Sequence, residues 1–164
     1  MEEATGDMSA AVQAAPKQQP NKYARIFGIV VILGVLMNLG AAIPGMIIPG
    51  AVLDFIGLEQ EVTEFWARLT SWLLILLSFM YVPAALQPFR SPAHSWLTVA
   101  SRWGGVFFVS STTFILGLNL RYLVFALGDL IFAVPELVLL ALAFNDERRR
   151  TKDRLATETQ SHRE

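Results

Sequence analysis

The sequence predicts an all-α polytopic membrane protein: an antiparallel bundle of four transmembrane helices, with a short interfacial segment between spans 1 and 2. Of the 164 residues, 54% are hydrophobic and 16% are charged, a balance more apolar and less charged than that of a soluble domain. The charged residues are concentrated towards the two ends of the chain and in one loop. Four stretches each hold the roughly 20 mostly apolar residues that a helix needs to cross the hydrocarbon of a bilayer.

The four spans are predicted at about 25–44, 65–86, 96–117 and 122–144. The connections "QPFRSPAHS" and "LNLR" are short, so spans 2 and 3, and spans 3 and 4, must be antiparallel neighbours. The membrane domain then covers 23–146. Residues 1–22 are polar and rich in Ala, Gln and Pro, which predicts a disordered cytoplasmic tail. Residues 147–164 are predicted to form a basic, charged cytoplasmic tail.

The distribution of Lys and Arg predicts that both termini are cytoplasmic. With four spans, both tails lie on the same side as the 87–95 loop. The basic residues on that side are Lys17, Lys22, Arg25, Arg90, Arg148, Arg149, Arg150, Lys152, Arg154 and Arg163. The opposite side has only Arg68 and Arg121, so the positive-inside rule assigns the first side to the cytoplasm.

The connection between spans 1 and 2, "PGMIIPGAVLDFIGLEQEVTE", is too apolar for a solvated loop and too interrupted for a spanning helix. Pro44, Pro49 and the adjacent glycines break helix continuity. We expect "AVLDFIGL" to form a short helix at the outer interface, with Asp54 facing water. Two interpretations are open: a lid over the end of the bundle, or a re-entrant or gating segment.

Spans 3 and 4 contain ionisable residues in apolar surroundings. Asp129 and Glu136 are seven residues apart on span 4, two helical turns, and therefore share a face. Because span 3 is antiparallel, Arg102 lies at about the depth of Glu136. A lone charge at the centre of a bilayer costs at least ~2.5–3.5 kcal/mol. We therefore predict an Arg102–Glu136 ion pair.

Neutral polar residues extend this predicted network towards the outer side. Asp129 lies at the depth of Ser110 and Thr113, and we expect a hydrogen bond from one of them. Asn38 on span 1, and Thr70 or Ser71 on span 2, lie at similar depths and could join. The network has two interpretations: a structural link between helices, or a relay or binding site for protons, ions or a polar head group.

Five aromatic residues fall near the predicted interfaces and are interpreted as an anchoring belt: Tyr23, Trp66, Tyr81, Trp96 and Tyr122.

No cofactor or metal is expected from the residues. There is no cysteine, and both histidines, His94 and His162, lie outside the spans. The chain has no phosphate-binding glycine loop, nucleophile elbow or zinc-ligand spacing, and no catalytic residue is assigned. It has no aromatic and basic surface for nucleic acid, and topology accounts for its cytoplasmic basic residues.

The order of features resembles that of small bacterial membrane proteins of the DoxX-like kind. The resemblance rests on "AAIPGMIIPGAVLDFIGL", "FMYVPAALQPFRSPAHSWLTVASRWGGVFFVSS" and "GDLIFAVPELVLL" and covers about residues 25–144. It implies a four-helix bundle in the bacterial inner membrane. Some DoxX-like relatives are small subunits associated with quinone-linked oxidation of sulfur compounds. No catalytic motif matches, so no residue role is carried over.

Three functions are therefore considered. The first is a non-enzymatic integral membrane protein, an accessory or structural subunit that packs in the lipid bilayer against larger membrane partners or itself. The second is a small oligomeric transporter or channel that uses Asp129, Glu136 and Arg102. The third, implied by the resemblance alone, is a small subunit of a quinone-linked oxidoreductase.

Overall fold

The structure, a computed structural model, describes residues 21–58 and 62–161, and these residues form helices and turns without a strand. The helices are α1 (Lys22–Ile47), α2 (Pro49–Ile56), α3 (Glu64–Leu86), α4 (Pro92–Ile115), a short 3-10 turn (Leu120–Tyr122) and α5 (Leu123–Ser161). Residues 1–20 of the predicted N-terminal tail lie outside the described residues. Its last residue, Lys22, already belongs to α1.

Helix α1 begins at a side-chain cap and buries one face. The Asn21 carboxamide oxygen accepts hydrogen bonds from the backbone N–H groups of Tyr23 and Ala24, which would otherwise lack partners in the first turn. Its buried residues recur every three or four positions: Phe27, Gly28, Val31, Gly34, Val35, Asn38, Ala42 and Gly45. This spacing is that of a single helix face turned towards neighbouring helices.

Helix α2 confirms the short helix predicted after span 1, although it begins at Pro49, two residues before "AVLDFIGL". Gly57 ends it in the left-handed region at φ 70, a conformation that glycine adopts without a Cβ penalty. Leu53 is buried, whereas Asp54 and Phe55 are exposed. The helix is therefore amphipathic, and Asp54 faces outwards as predicted.

The two basic residues of the predicted outer side hold the ends of α1 and α2. Arg68 Nη1 donates to the backbone oxygen of Met46, in the last turn of α1, at 2.6 Å. Arg121 Nη1 donates to the backbone oxygen of Gly57 at 2.9 Å. Carbonyls at a helix C-terminus lack intrahelical donors and carry partial negative charge, so a guanidinium stabilises them.

Helix α5 runs on as one helix beyond the predicted end of span 4 at residue 144. The described part of the charged tail, 147–161, is helical up to Ser161. This stretch has no Gly or Pro and contains several Arg and Glu, which favour helix. Arg150 Nε lies 3.0 Å from Asp146 one turn earlier. Its 39 residues span about 58 Å, far more than the roughly 30 Å of bilayer hydrocarbon.

Within the described ranges, three helical segments are long and apolar enough to cross a membrane: Lys22–Ile47, Glu64–Leu86 and Leu120–Ala156. These segments agree with the prediction of a membrane protein that contains transmembrane helices. Helix α4 is not among them, because its 24 residues include Arg102 and several serines and threonines.

The four long helices contact one another in cyclic order: α1 packs on α3, α3 on α4, α4 on α5, and α5 on α1. Their shared core consists of Phe27, Val31, Val35, Tyr81, Ala85, Val99 and Leu140. Many large apolar side chains outside this core are exposed, among them Phe79, Phe107 and Ile131. A soluble monomer rarely exposes so much contiguous apolar surface, whereas lipid covers it at no cost.

Candidate functional site

Arg102 of α4 forms two buried ion pairs with α5. Its Nε donates to Glu136 Oε1 at 3.0 Å, and its Nη1 donates to Asp129 Oδ1 at 3.2 Å. The side chains of Arg102 and Glu136 are 0% exposed, whereas that of Asp129 is 30% exposed. We call these three residues the charge triad. The end of the triad at Glu136 is inaccessible to solvent, whereas the end at Asp129 is partly exposed.

The geometry of two antiparallel helices explains why one guanidinium reaches both carboxylates. Asp129 and Glu136 are two turns apart on one face of α5, about 10.5 Å along the helix axis. The guanidinium presents five N–H donors in a planar fork at the end of a long side chain. It therefore lies between the two acids and donates to each through a different nitrogen.

Two aromatic rings lie beside the guanidinium. The ring centroids of Tyr81 on α3 and Phe132 on α5 are each 5.2 Å from Arg102 Cζ. A cation over an aromatic face is attracted by the ring quadrupole, by about 2 kcal/mol or more where water is excluded. The rings therefore stabilise the charge of Arg102 without accepting a hydrogen bond.

Two glycines give the triad its space. A Cβ at Gly34 of α1 would collide with Arg102 Nη2, and a Cβ at Gly105 of α4 would collide with Asp129 Oδ2. By contrast, Gly40 and Gly104, on the same two helices, have no atom near the position of an added Cβ. With Gly34 and Tyr81, all four long helices contribute to the surroundings of Arg102.

The hydroxyl of Tyr81 is oriented by α4. Its oxygen lies 2.8 Å from Ser101 Oγ, and Ser101 Oγ itself donates to the backbone oxygen of Thr98 at 2.9 Å. A serine hydroxyl has one proton, so Tyr81 must be the donor in its bond to Ser101. This bond ties α3 to α4 immediately beside the triad.

The triad also has unpaired polar atoms. Within the described residues, Arg102 Nη2 and Glu136 Oε2 are buried and have no hydrogen-bond partner. A buried donor or acceptor without a partner costs about 1–3 kcal/mol, and more where the group is charged. The site therefore holds one guanidinium and two carboxylates with spare hydrogen-bonding capacity on both sides.

The predicted Arg102–Glu136 pair is present, and the predicted partner of Asp129 is wrong. Asp129 bonds Arg102, whereas among the described residues Thr113 Oγ1 is buried without a hydrogen-bond partner and Ser110 makes no bond to the acid. A charge-assisted bond is roughly twice as strong as one from a neutral hydroxyl, and Arg102 is long enough to form it.

The other residues predicted to extend the network stay apart from it. Asn38 is buried at 4% exposure but makes no hydrogen bond to the triad. Thr70 is exposed, and Ser71 is buried where a Cβ at Gly45 would meet its hydroxyl. Ser71 therefore lies at the contact between α1 and α3, while the triad belongs to α4 and α5.

Tyr81 was predicted in the aromatic belt, and that position is wrong because the residue is 3% exposed. A signal for its burial exists in the sequence: Ser71, Ser78, Tyr81, Ala84 and Ala85, all buried, follow helical spacing on α3. Phe132 could also have been anticipated, because it lies between Asp129 and Glu136 on the same face of α5. By contrast, Trp66 and Trp96 are exposed, as anchoring residues would be.

In the described part of the chain, no group of three or more His, Cys, Asp or Glu side chains could hold a metal ion. Chemically, the triad can fix helices relative to one another, and gain or loss of one proton would change its formal charge. Because two carboxylates face one guanidinium, negative charge outnumbers positive charge in the triad, which disfavours an anionic ligand there.

Comparison of the chain with protein-family models, with curated proteins and with solved structures finds no match in any of the three.

Proposed function

We propose that this protein is a non-enzymatic, four-span protein of the bacterial inner membrane, an accessory or structural subunit of a larger membrane assembly. The observation that supports this function best is the enclosure of Arg102. Residues from all four long helices surround its guanidinium, and two of them are ionic partners. Such an enclosure fixes the register of helices that lipid would otherwise let slide.

The positions of polar residues on α4 support its assignment as predicted span 3, which completes a set of four spans. Its buried face carries Ser95, Thr98, Arg102 and Thr113. Its exposed face carries Trp96, Leu97, Phe107, Phe108 and Phe114. Much of the low hydropathy of α4 thus comes from residues that face other helices, although Ser111 is exposed. The 24 residues of α4 extend about 36 Å, enough to cross the hydrocarbon.

The hydrogen bonds of Arg68 and Arg121, the two basic residues of the predicted outer side, support the orientation with both termini in the cytoplasm. Arg68 and Arg121 each donate to a backbone carbonyl at a helix end. Their positive charges therefore have a structural role on that side and do not weaken the asymmetry of the remaining Lys and Arg.

Partner association is the property to test. We expect the tagged protein, extracted in mild detergent after in vivo crosslinking, to migrate as a discrete complex with a fixed ratio of a second integral membrane protein or of further copies. The test variant is Phe107→Ser/Phe108→Ser, which makes the exposed apolar surface of α4 polar without replacing a residue of the triad. We expect this variant to fold and to lose the complex. Migration of the parent as a monomer of 18.2 kDa plus detergent would contradict the accessory role.

The charge imbalance of the triad favours a second candidate, a small oligomeric transporter or channel. Two carboxylates face one guanidinium, Asp129 is partly exposed, and Glu136 Oε2 has no hydrogen-bond partner in the described structure. Intramembrane acids with these properties occur in proton relays. Four helices enclose little space, so a pathway would need several copies.

Flux into liposomes distinguishes this candidate from the first. If the triad conducts protons, purified protein should collapse an imposed pH gradient, and Asp129→Asn should abolish the collapse. Asp54→Asn, an exposed acid outside the triad, should leave it unchanged. Equal flux with the parent, both variants and empty liposomes would exclude this candidate.

The third candidate, a subunit of a quinone-linked oxidoreductase, is supported by the resemblance alone and involves no assigned residue.

A further inference from the structure

A groove lies between the start of α1 and the end of α3, at the end of the molecule opposite α2. Its volume is about 790 Å³. The side chains of Ile29, Ile32, Leu33 and Leu86 supply much of its apolar wall, and the segment 87–90 borders it. It is therefore an open, mostly apolar channel along the surface of the helices.

Close contact between two helix backbones shapes this groove. A Cβ at Gly28 would collide with the backbone oxygen of Ala85, so α1 and α3 touch at this level without side chains between them. Both residues line the groove. The contact gives the groove a floor of backbone atoms that cannot move aside as side chains do.

Two arginines lie at one end of the groove. Arg25 precedes Ile32 and Leu33 by seven and eight residues on α1, so it lies about 10–12 Å nearer the helix start. Arg90 follows the end of α3. Both line the groove together with Asn21 and Gln87, and among the described residues that line it none is acidic.

These arginines have no ionic partner in the described structure. Arg90 Nη1 donates to the neutral amide of Gln87 at 3.2 Å, and Arg25 makes no side-chain hydrogen bond or ion pair. The groove thus combines two exposed cations at one end with an apolar channel extending away from them. This is the arrangement of charge and hydrocarbon in an anionic phospholipid.

We propose that the groove is a binding site for one anionic glycerophospholipid of the cytoplasmic leaflet. The phosphate lies between Arg25 and Arg90, and an acyl chain follows Ile29 and Leu33 towards the interior of the bilayer. The proposal goes beyond the proposed function and rests on it only for the choice of the cytoplasmic leaflet, since the site itself requires that this end of α1 meets the membrane surface. Anionic lipid is favoured over zwitterionic lipid because each cation near the surface attracts its charge.

Native mass spectrometry of the detergent-solubilised full chain tests the site. The probes are phosphatidylglycerol and phosphatidylcholine with identical acyl chains, each titrated into delipidated protein. We expect one phosphatidylglycerol per chain to bind more tightly than phosphatidylcholine. Arg25→Gln/Arg90→Gln should reduce that preference by about ten- to thirty-fold, given the attraction of roughly two surface cations. The control Arg148→Gln/Arg149→Gln removes equal charge from exposed positions on α5 outside the groove and should keep the preference.

A second variant tests the apolar half of the site. Leu33→Trp keeps both arginines and narrows the channel at an exposed position, so it should weaken binding of both lipids. An excess of glycerol phosphate, which has the head-group charge without acyl chains, should not displace bound lipid.

Three outcomes would overturn the proposal. In the first, the α5 control loses the preference while Arg25→Gln/Arg90→Gln retains it, which would assign the attraction to the helical extension. In the second, glycerol phosphate displaces the lipid, which would indicate a site for free phosphate. In the third, the parent is recovered as a dimer without lipid, which would mean that a second copy covers the groove.

Discussion

Arg102 replaces the hydration of its guanidinium with two carboxylates and two aromatic faces. Taking such an ion out of water costs several kcal/mol even after the protein relaxes, and a salt bridge compensates only if its geometry is good. In the proposed four-span arrangement the alternative to pairing is a charge in hydrocarbon, so there the triad serves insertion as well as packing. Removal of one member of a buried ion pair should therefore lower the free energy of unfolding more than removal of both members.

A double-mutant cycle on Arg102 and Glu136 measures this coupling. Arg102→Leu should lower the free energy of unfolding by about 3–5 kcal/mol, because two buried carboxylates lose their cation. Arg102→Leu/Glu136→Leu should be less destabilised than the sum of the single variants, by about 1–3 kcal/mol. Unfolding in mixed micelles provides the values, and Arg148→Leu, on the exposed part of α5, is the control. Additivity within about 0.5 kcal/mol would show that the pair does not couple.

The glycines of α1 give a second prediction at this scale. Gly34→Ala should lower the free energy of unfolding by about 1–3 kcal/mol, because its methyl group would displace Arg102 Nη2 from its position. Gly40→Ala adds the same methyl group to the same helix where no atom lies within 4 Å, and should be neutral or slightly stabilising. Thermal unfolding in detergent compares the two. Equal losses would mean that the space beside Arg102 is not required.

The short helix α2 is held to the rest of the molecule from its C-terminal end. Arg121 donates to the backbone oxygen of Gly57, and Leu53 and Leu58 are buried beneath the helix. The opposite end of the molecule has a similar link, since Asn21 Nδ2 donates to the backbone oxygen of Ala143 at 3.0 Å. The Gly57 bond is made at the C-terminal end of α2, where backbone groups lack helical partners, whereas Ala143 lies within α5.

Two glycines with positive φ test the attachment of α2. Gly57 has φ 70 and Gly117 has φ 63, so replacement by alanine causes a similar conformational strain of about 1 kcal/mol at each. At Gly57, but not at Gly117, the new methyl group also collides with the Arg121 guanidinium. We expect Gly57→Ala to accelerate amide hydrogen exchange over 49–58, whereas Gly117→Ala should leave that segment protected. The same exchange in both variants would show that Arg121 does not hold α2.

At the scale of the whole molecule, the number of membrane crossings decides where every loop lies. Three helical segments in the described ranges meet the length and apolarity of a span, and α4 is the undecided fourth. Four crossings place the connection after α4 outside and the end of α5 inside. Three crossings, with α4 on the inner surface, reverse both positions.

Cysteine labelling distinguishes these topologies cleanly, because the chain has no cysteine of its own. With four crossings, a membrane-impermeant maleimide should label Asp54→Cys and Leu120→Cys in intact cells. Gln87→Cys and Thr151→Cys should react only after permeabilisation. Labelling of Thr151→Cys in intact cells, together with protection of Leu120→Cys, would indicate three crossings and overturn the proposed topology.

The sequence alone determined the helical class, the three most apolar segments and the meeting of Arg102 with Glu136. Hydropathy and helical period are local properties, and the short connection between α4 and α5 fixes which residues share a depth. The tertiary structure decided two features that local sequence patterns do not specify: the partner of Asp129 and the orientation of Tyr81. Asp129 bonds Arg102 rather than Ser110 or Thr113 because a long guanidinium reaches two turns of α5. Tyr81 faces inwards because the packing of α3 against α1 and α4, and not the distance of Tyr81 from a helix end, sets which side of α3 is buried.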